Sequence, residues 1–250
     1  MSIFSFFSRQ SAPVKLPFAT DMHCHLVPGV DDGSPDAATS VKLISGMHQW
    51  GIDRIIATPH LTAGTFENTP ATLDPALDAL RRELAGSGLP VEVSRSSENR
   101  LDDFFDAQLR AGNVATLPGN SLLIELPWVQ EPFNLDTQLF DLKCQGYNII
   151  IAHPERYPYY RHHPERYASL HGQDNLFQIN LLSLAGHYGK AEKQVALHLL
   201  EKGMWTISAP TSTISATWSR STHGCALARR ARYSMPPLRA CATTRCADRR

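Results

Sequence analysis

From Pro17 onward, short apolar runs alternate with longer stretches of helical periodicity, the pattern of repeated βα units around a parallel sheet. Runs at 17 to 22, 53 to 58, 90 to 94, 121 to 125, 147 to 152 and 176 to 180 predict strands. Between the first two, Val41, Ile44, Met47 and Trp50 recur at near-helical spacing. Ser34 and Pro35 predict the N-cap and first residue of that helix, and Gly51 its end. Further helices are predicted near 73 to 86, 101 to 111, 135 to 145 and 190 to 202, the last two stopped by Gly146 and Gly203. Six units are visible, and a seventh strand is due after Gly203.

The alternation breaks there. Residues 205 to 250 are rich in Ser, Thr, Ala, Arg and Cys and carry no amphipathic helix or apolar strand of comparable quality. Charge shifts as well: the tail holds eight Arg and one acid, leaving 24 − 8 = 16 basic and 24 − 1 = 23 acidic residues before it. A body of net −7 argues against a nucleic-acid surface, and the tail arginines lack interleaved aromatics or a helical face. At 250 residues and 42% hydrophobic, the chain suits one principal domain, residues 17 to 204. Residues 1 to 16 read as a disordered or surface-lying leader whose apolar run is too short to span a membrane, and no transmembrane helix follows. Only Cys24 and Cys144 lie in the body, which predicts no disulfide framework and a cytoplasmic location.

Metal-ligating residues gather at strand ends: His23 and His25 after the first run, His60 after the second, Glu98 after the third, Glu125 after the fourth and His153 after the fifth. In a parallel barrel such ends converge on one mouth. Alternation by two lets His23 and His25 project to one side and chelate one ion, with Asp21 able to orient one of them. Glu98 can bridge two ions. Alone, an HxH pair arises by chance and a strand-end His is a hydrogen-bonded core residue; five strand ends together favour a site. Mixed His and carboxylate donors suit Zn, Mn or Fe and not a thiolate-selecting site, so Cys24 reads as a packed neighbour. Glu155 and Arg156 could pair structurally, but Arg beside a metal mouth is also a bidentate phosphate clamp, the reading favoured here.

The segments DMHCHLVPGVDDGSPD, IIATPH, RLDD after Glu98, LLIELP, IAHPERYPYY and QINLLSLAGHYG together resemble the polymerase and histidinol phosphatase superfamily. Within it they look like bacterial manganese-dependent protein tyrosine phosphatases linked to capsular polysaccharide assembly, over about residues 18 to 204. The resemblance implies an α/β fold, a distorted seven-stranded β/α (TIM-like) barrel holding up to three divalent metals, Mn first and Fe or Zn as alternatives. It implies ligand roles for His23, His25, His60, Glu98, Glu125 and His153, and a catalytic, phosphate-binding role for Arg156. Asp31 and Asp32 lie in the loop beside the site, their role open. The implied reaction is phosphoester hydrolysis by metal-activated water. The implied partner is a phosphotyrosine protein, such as a bacterial tyrosine kinase of capsule or exopolysaccharide assembly, and a homo-oligomer is compatible. Rival readings are a histidinol-phosphate or other small-molecule phosphatase and an inactive metal- or phosphate-binding module.

One departure stands out. The family's last strand carries a GTDxHH-like segment, and no such segment follows Gly203. With TCN for the serines, the codons behind Trp205 to Trp218 permit VDYLGTDLHH once a single G is restored after the Met204 codon. Residues 205 to 250 are therefore expected to be an out-of-frame tail left by one lost base. As written, the domain is expected to lack its last strand and two ligands, with weak metal occupancy, poor stability and little activity.

Overall fold

A computed structural model describes residues 15–205 and 207–209. Most of the predicted leader and tail lies outside the described residues.

Helix α1 (Ala37–Gln49) turns Ile44 and Met47 inward, and Gly51 follows it at φ +91°. Its N-cap is Asp36, whose carboxylate accepts from Thr39 N at 2.7 Å, two residues beyond the predicted Ser34. Ser34 is occupied elsewhere: its hydroxyl donates to the Asp36 carbonyl and accepts from Ser40 Oγ. Helix α2 (Pro70–Ser87) carries the Leu73, Leu77, Leu80 and Leu84 stripe that buries it against the same layer. It starts earlier than predicted because Thr69 and Thr72 close its first turn, Thr72 Oγ1 accepting from Thr69 N at 3.0 Å. Helices α3 (Asp103–Arg110), α4 (Leu135–Cys144) and α7 (Lys190–Glu201) match their predictions, while α5 (Pro164–Gly172) and α6 (Leu181–Ala185) had no predicted counterpart.

All strands pair in parallel, in two sheets. One orders β1 (Thr20–Asp21), β2 (Arg54–Ala57) and β4 (Glu92–Arg95). The other orders β3 (His60–Leu61), β5 (Glu98–Arg100), β6 (Ser121–Glu125), β7 (Asn148–Ala152), β8 (Leu176–Asn180) and β9 (Ile207–Ala209). The expectation was a distorted seven-stranded barrel lacking its last strand. Instead, two of the predicted runs are each followed, past Thr58–Pro59 and past Ser96–Ser97, by an unpredicted short strand that belongs to the other sheet. Pro59 cannot donate to a ladder, so the second run must end before it. No pairing closes β9 onto β1 among the described residues.

The predicted loss of the last strand is also corrected. Ile207–Ala209 pairs with β8 in the register Gln178↔Ile207 to Asn180↔Ala209. Parallel pairing uses backbone groups alone, so this short segment can cover the β8 edge without the apolar run that the sequence pattern sought.

Helices pack outside both sheets. Leu122, Ile124, Ile149, Ile151 and Phe177 face α3, α4, α5 and α7, and Ile55 and Val93 face α1 and α2. The alternate residues, Met22, Ile56, Leu123, Ile150 and Ala152, form a separate buried cluster on the inner face. Cys24 is a buried free thiol, and Cys144 is disulfide-bonded. No helix among the described residues is long and apolar enough to cross a membrane.

Candidate metal centre

Short strands β3 and β5 place the site. Register aligns His60 of β3 with Glu98 of β5, the residues that open those strands, and Arg100 with Glu125, the residues that close β5 and β6. His23 and His25 follow β1, and His153 follows β7. All six predicted ligands therefore meet on one cavity of about 440 Å³, which Arg156 also lines.

Glu98 sits at the centre. Its Oε2 lies 3.1 Å from His23 Nε2, 3.2 Å from His25 Nε2 and 3.4 Å from His60 Nδ1, and its Oε1 lies 2.8 Å from His153 Nε2. Burial alone would raise this carboxyl, but the surrounding imidazoles, His23 and His60 foremost, hold it well below its usual range. Glu125 is in the opposite position. Burial, then the neighbouring Glu98 charge, pushes it up to about 8, and Arg100 Nε at 3.0 Å only partly offsets them. His153 is pushed down to about 3, chiefly by burial, so its imidazole is neutral and able to ligate.

The ring orientations are fixed by neighbours. Gln178 Oε1 lies 2.6 Å from His23 Nδ1, and Asp31 Oδ2 lies 2.8 Å from His25 Nδ1. Asp31 also accepts from His60 N and Gly33 N, which settles its place beside the site; the more exposed Asp32 lies 3.6 Å from His60 Nε2. Gly33 is required here, since a Cβ would lie 2.2 Å from the His25 carbonyl oxygen. Asp21 departs from expectation: it accepts the backbone N–H of His23 and leaves the ring to Gln178. His153 adopts φ 32°, ψ 57°, an uncommon left-handed conformation for a non-glycine residue, at the start of the 3-10 turn Pro154–Arg156. Glu155 does not pair with Arg156; it turns inward, its Oε1 accepting from Asn180 N at 3.0 Å and Ser183 Oγ at 2.6 Å.

Aromatic rings flank the imidazoles. Phe66 stacks on His60 with centroids 5.5 Å apart, and Trp128 stacks on His153 at the same separation. Phe66, Trp128, Tyr188 and Arg100 all line the cavity, and none was singled out from the sequence. Aromatic and basic residues outside a ligand-spaced motif give no signal without the fold.

The donor set fits divalent cations. His23, Glu98 and His153 form one group, His25, His60 and Glu98 a second, and His25, Asp31 and Asp32 a third, the donor atoms within each lying within 4.8 Å of one another. Glu98 belongs to two groups, as a bridging carboxylate would. His60 Nδ1, His153 Nδ1 and Glu98 Oε2 are buried without hydrogen-bond partners. Buried polar atoms left unpaired are costly, and a cation meeting the His60 and Glu98 atoms would satisfy them.

Parallel strands delivering histidines and carboxylates to one buried cluster define an α/β protein with a candidate multinuclear metal centre. The chain belongs to the capsular polysaccharide synthesis family CpsB/CapC, whose model matches residues 19–222. It is 34% identical over 185 residues to the tyrosine-protein phosphatase YwqE of Bacillus subtilis, covering 74% of this chain and 73% of that one. It is 24% identical over 185 residues to the putative tyrosine-protein phosphatase CapC of Staphylococcus aureus, covering 74% and 72%. A solved structure reported for YwqE from Bacillus subtilis and CpsB from Streptococcus pneumoniae, described as unique metal-dependent tyrosine phosphatases, superposes with a TM-score of 0.78 at 31% identity, over 86% of this chain and 87% of that one.

Proposed function

We propose that this protein is a metal-dependent phosphatase that hydrolyses phosphotyrosine in proteins of capsular or exopolysaccharide assembly. The observation that carries the reading is Glu98 ringed by four imidazoles in a cavity that also holds Arg156. The names of the similar phosphatases support it.

His23, His25, His60, Glu98, Glu125 and His153 would hold the metals. Bound divalent ions would supply Lewis acidity and an activated water for in-line attack on phosphorus. The chain's own residues do the rest. Glu98 and the neutral His153 present lone pairs into the cluster, and Gln178 and Asp31 hold the His23 and His25 rings in place. Arg156 neutralises charge on the phosphoryl oxygens, a task suited to its fixed fork of donors. A phenoxide is a good leaving group, so no strong general acid is required of the chain. Manganese, a cytoplasmic location, a tyrosine kinase as substrate protein and a distorted, opened form of the seven-stranded barrel complete the proposal.

Phosphate release from a phosphotyrosyl peptide and from histidinol phosphate, with chelated and with Mn-reloaded protein, tests it. Metal-dependent release favouring the peptide is expected. Faster hydrolysis of histidinol phosphate, or no release by fully loaded protein, would overturn it.

A further inference from the structure

Arg156 is held between two aromatic rings that come from different parts of the chain. Its Cζ lies 4.7 Å from the ring centroid of Trp128, which follows β6, and 4.4 Å from that of Tyr188, which follows α6. Trp128 in turn stacks on His153 with an interplanar angle of 16°, so ring contacts run from Tyr188 through Arg156 and Trp128 to a candidate metal ligand. The backbone reinforces this. Arg156 N donates to the His153 carbonyl at 2.9 Å, tying the guanidinium-bearing residue to the same turn. Among the described residues Arg156 makes no ion pair with a carboxylate. Its guanidinium lines the cavity with the rings of Trp128 and Tyr188 within cation–π distance, and its N–H donors can meet an anion there.

We propose that Tyr188 and Trp128 are positioning residues for the phosphate clamp: they immobilise the Arg156 guanidinium at the cavity wall before substrate arrives. This rests on the phosphatase reading for its substrate, but not for its geometry. An unrestrained arginine loses much rotamer freedom when it binds, and a guanidinium already sandwiched has lost it beforehand. Tyr188 is the cleaner probe. Trp128 also touches His153, so its removal would disturb metal binding as well.

The test uses metal-loaded full chain and measures inorganic phosphate affinity by calorimetry, together with KM and kcat for a phosphotyrosyl peptide. Tyr188→Leu is expected to weaken phosphate binding and raise KM by about tenfold, with a smaller effect on kcat and unchanged metal content. Tyr188→Phe should restore both, because the ring and not the hydroxyl holds the cation. In an Arg156→Ala background, Tyr188→Leu should add nothing, as expected when one residue acts through the other. Unchanged phosphate affinity in Tyr188→Leu, failure of Tyr188→Phe to restore it, or additive losses in the double variant would overturn the proposal. Half-buried Tyr188 also accepts Tyr188→Met as a second ring-deleting variant, with the same expected loss. If the wild type binds phosphate in this ring-dependent way yet releases none from the peptide, the clamp stands and the phosphatase reading falls.

Discussion

Gln178 Oε1 lies 2.6 Å from His23 Nδ1, and the same oxygen accepts the backbone N–H of His153 at 3.2 Å. One amide on β8 thus sets the ring of a residue after β1 and the backbone of one after β7. Its own NH2 is committed to Asn180 Oδ1 at 2.8 Å, which fixes which end of the amide faces the histidines. Gln178→Ala should therefore lower metal affinity by about 10- to 100-fold, the usual effect of losing a group that orients a ligand. Metal titration of the stripped protein measures it, and an unchanged affinity would show that His23 needs no such support.

Glu98 offers the second test. Because it belongs to both the His23–His153 and the His25–His60 groups, Glu98→Gln should lose more than one metal per chain, whereas His60→Ala should spare the group formed by His23, Glu98 and His153. Metal stoichiometry by mass spectrometry distinguishes the two. Chelation should also lower the melting temperature, since metal bound only by the folded state stabilises it by mass action.

Much of this centre was legible because each ligand closes an apolar run, where strand ends converge. His23, His25, His60, Glu98, Glu125 and His153 all stand at such positions, and all line the cavity. Gln178 opens the segment QINLLSLAGHYG but was given no role, because a neutral amide within a strand shows no ligand character until the fold sets it against His23. Phe66 and Trp128 look like ordinary core or surface aromatics until the fold brings them onto imidazoles. The short strands past Thr58–Pro59 and Ser96–Ser97 were missed because apolar content does not record where a ladder changes sheet. Short α6 was missed because five residues are too few to establish a helical period.

Tyr157 illustrates a purely structural dependence. Its hydroxyl accepts the buried Leu126 N–H at 2.8 Å, directly after Glu125 and two residues before Trp128. Tyr157→Phe removes the acceptor while keeping the ring, leaving an amide without a partner. A loss of about 1–3 kcal/mol in unfolding free energy is expected, measurable by urea denaturation with an unchanged m-value.

Glu155 makes the metal-stripped protein sensitive to pH. Burial raises its carboxyl from 4.5 to about 7, against the hydrogen bonds from Ser183 and Asn180. Between these values the folded state binds the extra proton, so this contribution to stability is full below about pH 4.5 and is lost as pH rises through about 7. The shift corresponds to about 3 kcal/mol as an order of magnitude. Glu155→Gln should flatten stability against pH over that window. An identical pH profile in the variant would refute the assignment.

The tail sequence gives the last prediction. Restoring one G after the Met204 codon permits the reading VDYLGTDLHH after Met204, which would add two aspartates and two histidines close to a strand that pairs with β8, the strand of Gln178. One lost base would explain the composition change, the late cysteines and the absent ligands together. Resequencing the gene should reveal the missing base. The repaired protein should bind more metal per chain and release phosphate faster from phosphotyrosyl peptide than the chain as written, because additional donors complete the cluster around His23 and His25. Independently confirmed bases with an intact frame, or equal metal content and rate in the two proteins, would show that residues 205 to 250 are native to this family member and that its centre is complete without them.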